Sequence, residues 1–301
     1  MSRKGWLLFC ALCVVWGIPY LLIRIAVREL PPATLVLGRT APVALLMLPF
    51  VVRRSGREAL HGRWRWVFAY SMAELAVPWL LLAHAEQRLS SSVAGLLVAS
   101  VPLMGAVLSR LTGAAERLSR RRLAGLVLGF VGVAALAGFD SAGGRGPVAV
   151  AEVLVVALGY ATGPLIISRR LADLPGISVV AASLVITALL YAPLGLAQLP
   201  SAVSGETVAA VATLALVCTA LAFILFFALI VEVGPTRATV ITYVNPVIAV
   251  LLGVAFLHER LGVGIAVALP LILGGSVLGT SRPAASAQPG APRRVADAGG
   301  T

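Results

Sequence analysis

Long apolar runs alternate with short polar links along almost the whole chain. An α-helix needs about 17–25 apolar residues to cross the hydrocarbon core of a bilayer. Ten runs are long enough, and they cover residues 6–26, 33–52, 66–85, 91–110, 123–139, 147–167, 177–198, 207–229, 236–256 and 262–280. The pattern therefore predicts an all-α integral membrane protein with ten transmembrane helices.

The two ends of the chain differ in kind. The first run follows Ser2, Arg3 and Lys4, as in a signal peptide, but no small-residue cleavage site precedes the next polar stretch. We therefore expect this run to be retained as a transmembrane helix. Residues 282–301 are rich in Pro, Ala and Gly without periodicity, which predicts a disordered cytoplasmic tail.

The two halves of the chain repeat one motif at an almost constant offset. Pro102 and Pro246 lie 144 positions apart, and each sits in an apolar run that is followed by Glu-Arg-Leu, at 116–118 and at 259–261. Weaker matches, such as Pro32 with Pro175, share the offset. The duplication predicts one repeat over residues 1–142 and a second over 143–281. Because five helices per repeat is an odd number, the second repeat is expected to be inverted, as in many secondary transporters.

Lysine and arginine concentrate in alternate links, which indicates orientation by the positive-inside rule. The rich segments contain Arg3, Lys4, Arg53, Arg54, Arg57, Arg63, Arg65, Arg110, Arg117, Arg120, Arg121, Arg122, Arg169, Arg170, Arg237, Arg282, Arg293 and Arg294. The poor segments contain Arg24, Arg28, Arg88, Arg145 and Arg260. This asymmetry predicts a multi-pass protein of the inner (plasma) membrane with both termini in the cytoplasm.

Composition excludes several other classes of protein. Residues are 59% hydrophobic and 12% charged, whereas about a quarter of a soluble domain is charged. The formal net charge of +12 does not indicate nucleic-acid binding, because the arginines form short clusters between apolar runs. Cys10 and Cys13 have no accompanying His, so no metal site is predicted. No P-loop, HExxH or Gly-x-Ser-x-Gly motif occurs, which predicts a non-enzyme without a cofactor.

Glu74 is the most deeply placed ionisable residue of the predicted helices. It lies about nine residues into the third run, or roughly 13 Å along a helix. A charge at the bilayer centre costs about 2.5–3.5 kcal/mol on insertion scales, so it needs a reason to be there. One hypothesis is that Glu74 lines a cavity and binds a proton or a cationic group of a substrate. The alternative is a structural pair with an arginine or a cap of backbone donors.

Two other charged or titratable side chains are candidates. Arg39 lies about six residues into the second run and could bind a substrate carboxylate. Its alternatives are extension to the outer surface or a pair with Glu74. His84 ends the third run and could relay protons, or be an ordinary residue of the membrane interface.

Polar and aromatic side chains complete the candidate site. Trp79 could form an aromatic wall for an apolar or cationic substrate. Tyr20, Tyr160 and Tyr243 are polar aromatic residues at or near the interiors of apolar runs, and Asn245 could either bind substrate or bridge two helices. The prolines at 102 and 246 are expected to expose backbone polar groups to a central cavity.

Other positions have structural interpretations. The pairs Gly125/Gly129 and Gly275/Gly279 match a pattern for close helix approach, and we expect them to pack within the chain rather than in a dimer. Glu116 and Glu259 each follow a link and are expected to begin the next helix, near its positive end.

The chain resembles the EamA-type branch of the drug/metabolite transporter superfamily over about residues 5–280. The motifs that carry the resemblance are Trp16-Gly17, Pro32 with Arg39, residues 91–102, Glu116-Arg117-Leu118, Thr219-Ala220-Leu221-Ala222, Gly234-Pro235-Thr236-Arg237-Ala238, Pro246 and Leu257-His258-Glu259-Arg260-Leu261. The resemblance implies ten helices in two inverted five-helix repeats and transport of small metabolites. The chain departs from it in the third run, at Met72-Ala73-Glu74-Leu75-Ala76-Val77-Pro78-Trp79, where many relatives have only small apolar residues.

These observations favour a secondary-active transporter of small metabolites or drugs, an exporter coupled to protons by alternating access. The expected partners are a small-molecule substrate and the lipid bilayer, with no nucleic acid, and the chain is expected to be a monomer or a homodimer. One alternative is a carrier of nucleotide- or lipid-linked sugars, which would use Arg39 and Arg24. Another is a membrane enzyme or a non-transport assembly protein.

Overall fold

The computed structural model describes residues 2–53, 56, 58, 60–112, 120–140, 146–234, 238 and 240–280. Eight helices in this part are long and apolar enough to cross a membrane, and two more are apolar but shorter. We label the eight α1 to α8 and the shorter two α9 and α10. Their bounds are Arg3–Ala26, Pro32–Val52, Trp64–Ala85, Ser91–Leu111, Arg120–Asp140, Gly146–Leu171, Gly176–Ala197, Gly205–Val233, Ile241–Leu257 and Val263–Thr280.

The predicted apolar runs match these helices to within a few residues at most ends. The largest shift is at α9, which begins at Ile241 rather than at residue 236. Parts of the predicted scheme lie outside the described residues: the 116–118 motif, the tail at 282–301, and Arg54, Arg57, Arg117, Arg145, Arg237, Arg282, Arg293 and Arg294. The described residues therefore support an all-helical membrane fold.

Two of the long helices are interrupted, and in each the second segment has a proline in its first turn. α1 consists of Arg3–Gly17 and Pro19–Ala26, and α4 consists of Ser91–Val98 and Val101–Leu111. Proline has no N–H group to donate to the carbonyl one turn earlier, and a carbonyl without a hydrogen-bond donor is costly in an apolar environment. At the break in α4, Ser276 of α10 donates to the carbonyl of Ala99 at 3.2 Å. The interruption is thus stabilised from the other half of the chain.

Two π-helical turns occupy related positions in the two halves. One covers Met72–Ala76 in α3, and the other covers Leu216–Leu221 in α8. Their first residues are 144 positions apart, which is also the spacing of Pro102 and Pro246. Single π turns within α-helices occur frequently at functional sites. In α3, Pro78 follows the turn, and the Tyr191 hydroxyl of α7 donates to the carbonyl of Ala76 at 3.0 Å.

Helices of the two halves pack directly against each other. α5 packs along α10, and α2 packs along α7. At the α5–α10 contact a Cβ at Gly125 would overlap the backbone of Gly279, and one at Gly275 would overlap Gly129. The prediction that these glycines pack within the chain is confirmed, because only residues without a Cβ allow such an approach.

Hydrogen bonds and ion pairs identify the two ends of the helix bundle. At the end that holds the N-terminus, here the proximal end, Arg63 of the link before α3 pairs with Asp173 after α6 at 3.0 Å. At the opposite, distal end, the turns after α1, α3, α7 and α9 meet. There the Glu29 carboxylate accepts from the Ser204 main chain at 2.8 Å. That bond holds the pKa of the Glu29 carboxyl below its ordinary value.

Candidate functional site

Glu74 lies in the π-helical turn near the middle of α3. Its Oε2 atom is buried and has no hydrogen-bond partner among the described residues. The carboxylate faces Gly163 of α6, where an added Cβ would overlap Oε2. A buried carboxylate oxygen without a partner in an apolar bundle is costly unless the group binds a proton or a cation. The position therefore suits a group that binds and releases one of these.

The π turn and two glycines of α6 make this placement possible. A Cβ at Gly159 would overlap the carbonyl oxygen of Ala73, so the turn itself presses against α6. One helical turn further along, Gly163 leaves room for the carboxylate. Glu74 thus lies at the contact between α3 of the first half and α6 of the second.

Arg39 of α2 is a second buried charged residue, with 7% of its surface exposed. Its guanidinium carbon lies 3.6 Å from the centre of the Trp79 ring of α3. Its Nε donates to the Thr219 hydroxyl, in the π turn of α8, at 3.0 Å. Stacking and a charge-assisted hydrogen bond both stabilise a buried guanidinium. The alternatives of surface exposure and of a pair with Glu74 do not fit this geometry, because the side chain is buried and bonds to Thr219.

Tyr160 of α6 connects the environments of Arg39 and Glu74. Its ring packs against two apolar clusters, one containing Tyr20 and the other containing Trp79. Its hydroxyl lies close enough to interact with the side chain of Trp79, and it is within electrostatic range of both Arg39 and Glu74. Tyr20 of α1 is 8% exposed and within electrostatic range of Tyr160 and Arg39. The structure therefore brings together five of the predicted site residues.

A cavity of about 540 Å³ has one member of this cluster, Tyr160, in its lining and extends toward the proximal end. Tyr160 lies at its inner part, and Arg122 and Ser168 lie toward the proximal end of the bundle. Pro102 and Gly105 of α4 form part of the wall, as expected for a helix interrupted by proline beside a cavity. A small molecule could reach Tyr160 by this route.

Of the other three predicted site residues, Asn245 and His84 bond to partners outside this cluster. Asn245 of α9, in the amide orientation that satisfies its neighbours, donates to the carbonyls of Cys13 at 3.2 Å and Ile241 at 2.9 Å. It therefore bridges α1 and α9, which was one of its two interpretations. Tyr243 is half-buried on α9. His84 lies at the distal end, where its Nδ1 is 2.7 Å from Oε1 of Glu152 in α6.

Glu259 corrects a prediction. It was expected to begin the helix that follows it, but its carboxylate accepts four hydrogen bonds at the N-terminus of α4 instead. These come from the main-chain N–H and hydroxyl groups of Ser91 and Ser92, at 2.5–3.0 Å. The positive end of a helix favours a carboxylate whichever part of the chain supplies it. We call this contact the distal clamp, since it joins the two halves of the chain.

The turn at His258 explains how Glu259 reaches α4. His258 has φ 53°, the left-handed conformation, and is the one non-glycine residue of the described chain with a positive φ. This conformation ends α9 and lets the N–H of Glu259 bond to the carbonyl of Gly253 at 3.1 Å. The chain then turns back toward α4 rather than continuing along the helix axis.

Sequence reasoning missed several residues that build the site. Gly163 and Thr219 carry no signal of their own, because each matters only through a partner on a distant helix. The offset of 144 was the available signal for Thr219, since it places the 216–221 segment opposite the segment around Glu74. Glu152, the partner of His84, is visible in the sequence as a carboxylate within an apolar run.

The fold defines a multi-pass helical membrane protein with a buried polar cluster and a cavity that reaches one of its members, Tyr160. The chain belongs to the EamA-like transporter family, whose sequence model matches residues 3–138 and 148–280. It is thus a membrane transporter of this family.

Individual relatives agree with this assignment. The chain is 32% identical to the "Uncharacterized inner membrane transporter YedA" of Escherichia coli K12 over 259 residues, which is 83% of this chain and 82% of the relative. It is 24% identical to the "Uncharacterized transporter YvbV" of Bacillus subtilis 168 over 273 residues, 89% of this chain and 88% of the relative. A solved chain described as "Crystal structure of protein" matches with a TM-score of 0.65 at 24% identity, over 93% of this chain and 98% of that one.

Proposed function

We propose that the chain is a proton-coupled secondary transporter of small metabolites or drugs, in which Glu74 carries the coupling proton. The observation that carries this proposal is the carboxylate of Glu74, whose buried Oε2 lacks a partner among the described residues and faces Gly163 of the other half. A group at that contact changes its surroundings whenever the halves move. Its affinity for a proton then differs between states, which is what coupling requires.

The transport cycle we propose is alternating access between two inverted five-helix repeats. Three features support it. α1, the first helix of the first half, contacts α8 and α9 of the second half. α6, the first helix of the second half, contacts the equivalent helices α3 and α4 of the first half. The contacts of α2 with α7 and of α5 with α10 join equivalent helices. The two π turns share the offset of the sequence repeat.

We further propose that both termini are cytoplasmic and that the protein lies in the inner membrane. The proximal end then faces the cytoplasm, and the cavity that reaches Tyr160 is open to it in this state. The distal clamp joins the two halves of the chain at the opposite end. A solute loads from the cytoplasm in this arrangement, which favours export.

The contacts that Arg39 and Arg24 make favour this substrate range over sugar nucleotides. A sugar nucleotide or lipid diphosphate needs free cationic groups for its phosphates. Arg39 already binds Trp79 and Thr219, and Arg24 donates to the main-chain carbonyl of Glu86. The small cationic or neutral solutes that an acidic, aromatic site accepts are better candidates.

Transport into proteoliposomes under an imposed pH gradient tests the proposal. Amino acids, sugars, nucleosides and cationic dyes are the candidate solutes. Wild-type protein should accumulate at least one of them only when the gradient is present. Glu74→Gln should lose gradient-driven accumulation but keep exchange of labelled for unlabelled solute. Glu206→Gln, at an exposed position near the start of α8, is the matched control and should behave as wild type. Accumulation by Glu74→Gln at the wild-type level would show that Glu74 does not couple.

A further inference from the structure

Glu86 is a buried carboxylate that the proposed cycle does not use. It is the first residue after α3, at the distal end, and its residue surface is 0% exposed. Both carboxylate oxygens are buried, and neither has a hydrogen-bond partner within the described chain. An ionised carboxylate in such a place loses its hydration and gains no hydrogen bond in return. Its burial therefore calls for a bound positive charge.

The neighbouring Glu259 shows what the fold provides for a carboxylate that is meant to stay ionised. Its two oxygens receive four hydrogen bonds from Ser91 and Ser92. Arg24 could serve Glu86 in the same way, but its guanidinium donates to the main-chain oxygen of Glu86 instead. The two carboxylates lie at the same end of the bundle in opposite situations.

Several charged and titratable groups lie near Glu86, on α1, α2, α6 and the link between α9 and α10. The positive groups are Arg24 of α1 and Arg39 of α2, and the negative one is Glu259 between α9 and α10. Tyr20 of α1 and Tyr160 of α6 are also within electrostatic range. Positive and negative charges both lie near Glu86, and none of these groups forms a hydrogen bond with its carboxylate.

The surroundings limit what positive charge Glu86 can hold. No group of three or more His, Cys, Asp or Glu able to bind a metal ion occurs among the described residues. The ammonium group of a solute needs space, whereas Glu86 is fully enclosed. A proton needs neither extra ligands nor space.

We propose that Glu86 is a second proton-binding carboxylate of the transport cycle, placed at the distal end and buried in this state. When the distal end opens, the Glu86 carboxylate takes up a proton from distal water and becomes a carboxylic acid. When a solute binds from the proximal side, Glu86 releases that proton toward the proximal cavity, in whose lining Tyr160 lies, and returns to a carboxylate. This inference rests on the proposed function, and it makes the cycle carry one proton on Glu74 and one on Glu86.

Infrared spectroscopy of the protein in lipid bilayers tests whether Glu86 is protonated. A protonated carboxyl group has a C=O stretching band that a carboxylate lacks. Glu86→Gln should lose one such band relative to wild type, while the control Glu206→Gln should lose none. Should Glu86→Gln fail to fold, Glu86→Asp should keep the band at a shifted frequency. An unchanged carboxyl spectrum in Glu86→Gln would overturn the proposal.

The number of protons moved per solute separates this inference from the proposed function. Glu86→Gln should halve the protons released per bound solute, because the site on Glu74 still works. A full wild-type proton count in Glu86→Gln overturns the role of Glu86 and leaves that of Glu74 intact. If Glu74→Gln has no effect on proton release while Glu86→Gln abolishes it, the proposed role of Glu74 fails and the proton site on Glu86 stands.

Discussion

The π turns of α3 and α8 are the same backbone distortion put to two uses. Glu74 and Cys218 occupy equivalent positions, 144 residues apart. In α3 the turn presents an acidic side chain to Gly163. In α8 it presents the neutral Cys218 and, next to it, Thr219, which accepts a hydrogen bond from Arg39 and donates to the carbonyl of Leu214 at 2.8 Å. A duplicated scaffold can therefore keep one half reactive while the other half holds a charge in place.

Moving the carboxylate from one turn to the other tests this contrast most severely. In the double variant Glu74→Cys with Cys218→Glu, the transferred carboxylate lies close to Arg39 and should pair with it. Coupling should be lost, with a fall of about 5- to 150-fold in gradient-driven accumulation, the usual size of coupling between sites. Transport assays in proteoliposomes measure it. Wild-type coupling in the double variant would show that the two turns are interchangeable.

Gly163→Ala should disturb Glu74 without altering its chemistry. The new Cβ overlaps Oε2 of Glu74, and overpacking of this kind costs about 1–3 kcal/mol. Chemical unfolding in detergent should show that loss, although alanine is normally better than glycine in a helix by about 1 kcal/mol. At Gly274 of α10 a Cβ meets open space, so Gly274→Ala is the matched control and should not destabilise.

A double-mutant cycle identifies the source of the Gly163→Ala effect. When Gly163→Ala is combined with Glu74→Ala, the overlap with the carboxylate disappears. The effects of the two substitutions on the free energy of unfolding should therefore be non-additive by about 1 kcal/mol or more. Simple additivity would mean that residue 163 does not face Glu74.

Arg39→Lys should weaken the contacts that Arg39 makes with Trp79 and with the π turn of α8. Lysine loses the planar stack on Trp79 and the geometry of the bond to Thr219, which should lower the free energy of unfolding by about 2 kcal/mol. Solute binding should fall by the same factor for anionic, neutral and cationic solutes, because Arg39 acts by holding helices together. Isothermal titration across such a series checks this, with Thr219→Val as the milder companion. A loss confined to anionic solutes would instead show that Arg39 binds substrate.

Tyr191→Phe should have the smallest effect. The substitution removes the hydrogen bond to the carbonyl of Ala76 beside the π turn of α3, and should lower the free energy of unfolding by about 1 kcal/mol. Thermal unfolding with and without solute measures it. No change would mean that the turn is stable without this bond.

The sequence predicted the helices well, because the requirement to satisfy every backbone group in a bilayer leaves little choice. Trp64–Ala85 was expected at 66–85, and Gly176–Ala197 at 177–198. Glu74 could be singled out for the same reason, since a charge in an apolar run is visible in the sequence. The partners of that charge could not be predicted.

What the sequence could not show depends on contacts between distant segments. Glu259 caps a helix that begins 168 residues before it in the chain, so the local rule that placed it at its own helix was wrong. The bond of Arg39 to Thr219 likewise spans 180 positions. Such pairings follow from the way in which the two halves pack, which hydrophobic periodicity does not encode.

Proton release on solute binding, measured with a pH dye and purified protein in lipid at low buffer, tests the role of Glu74 most directly. We expect a bound solute to release protons from wild-type protein and from Glu206→Gln, and Glu74→Gln to bind the solute with a reduced release. Wild-type release from Glu74→Gln would contradict the proposed role of Glu74. So would solute binding to wild-type protein with no proton release, because Glu74 would then be a structural residue of a facilitator.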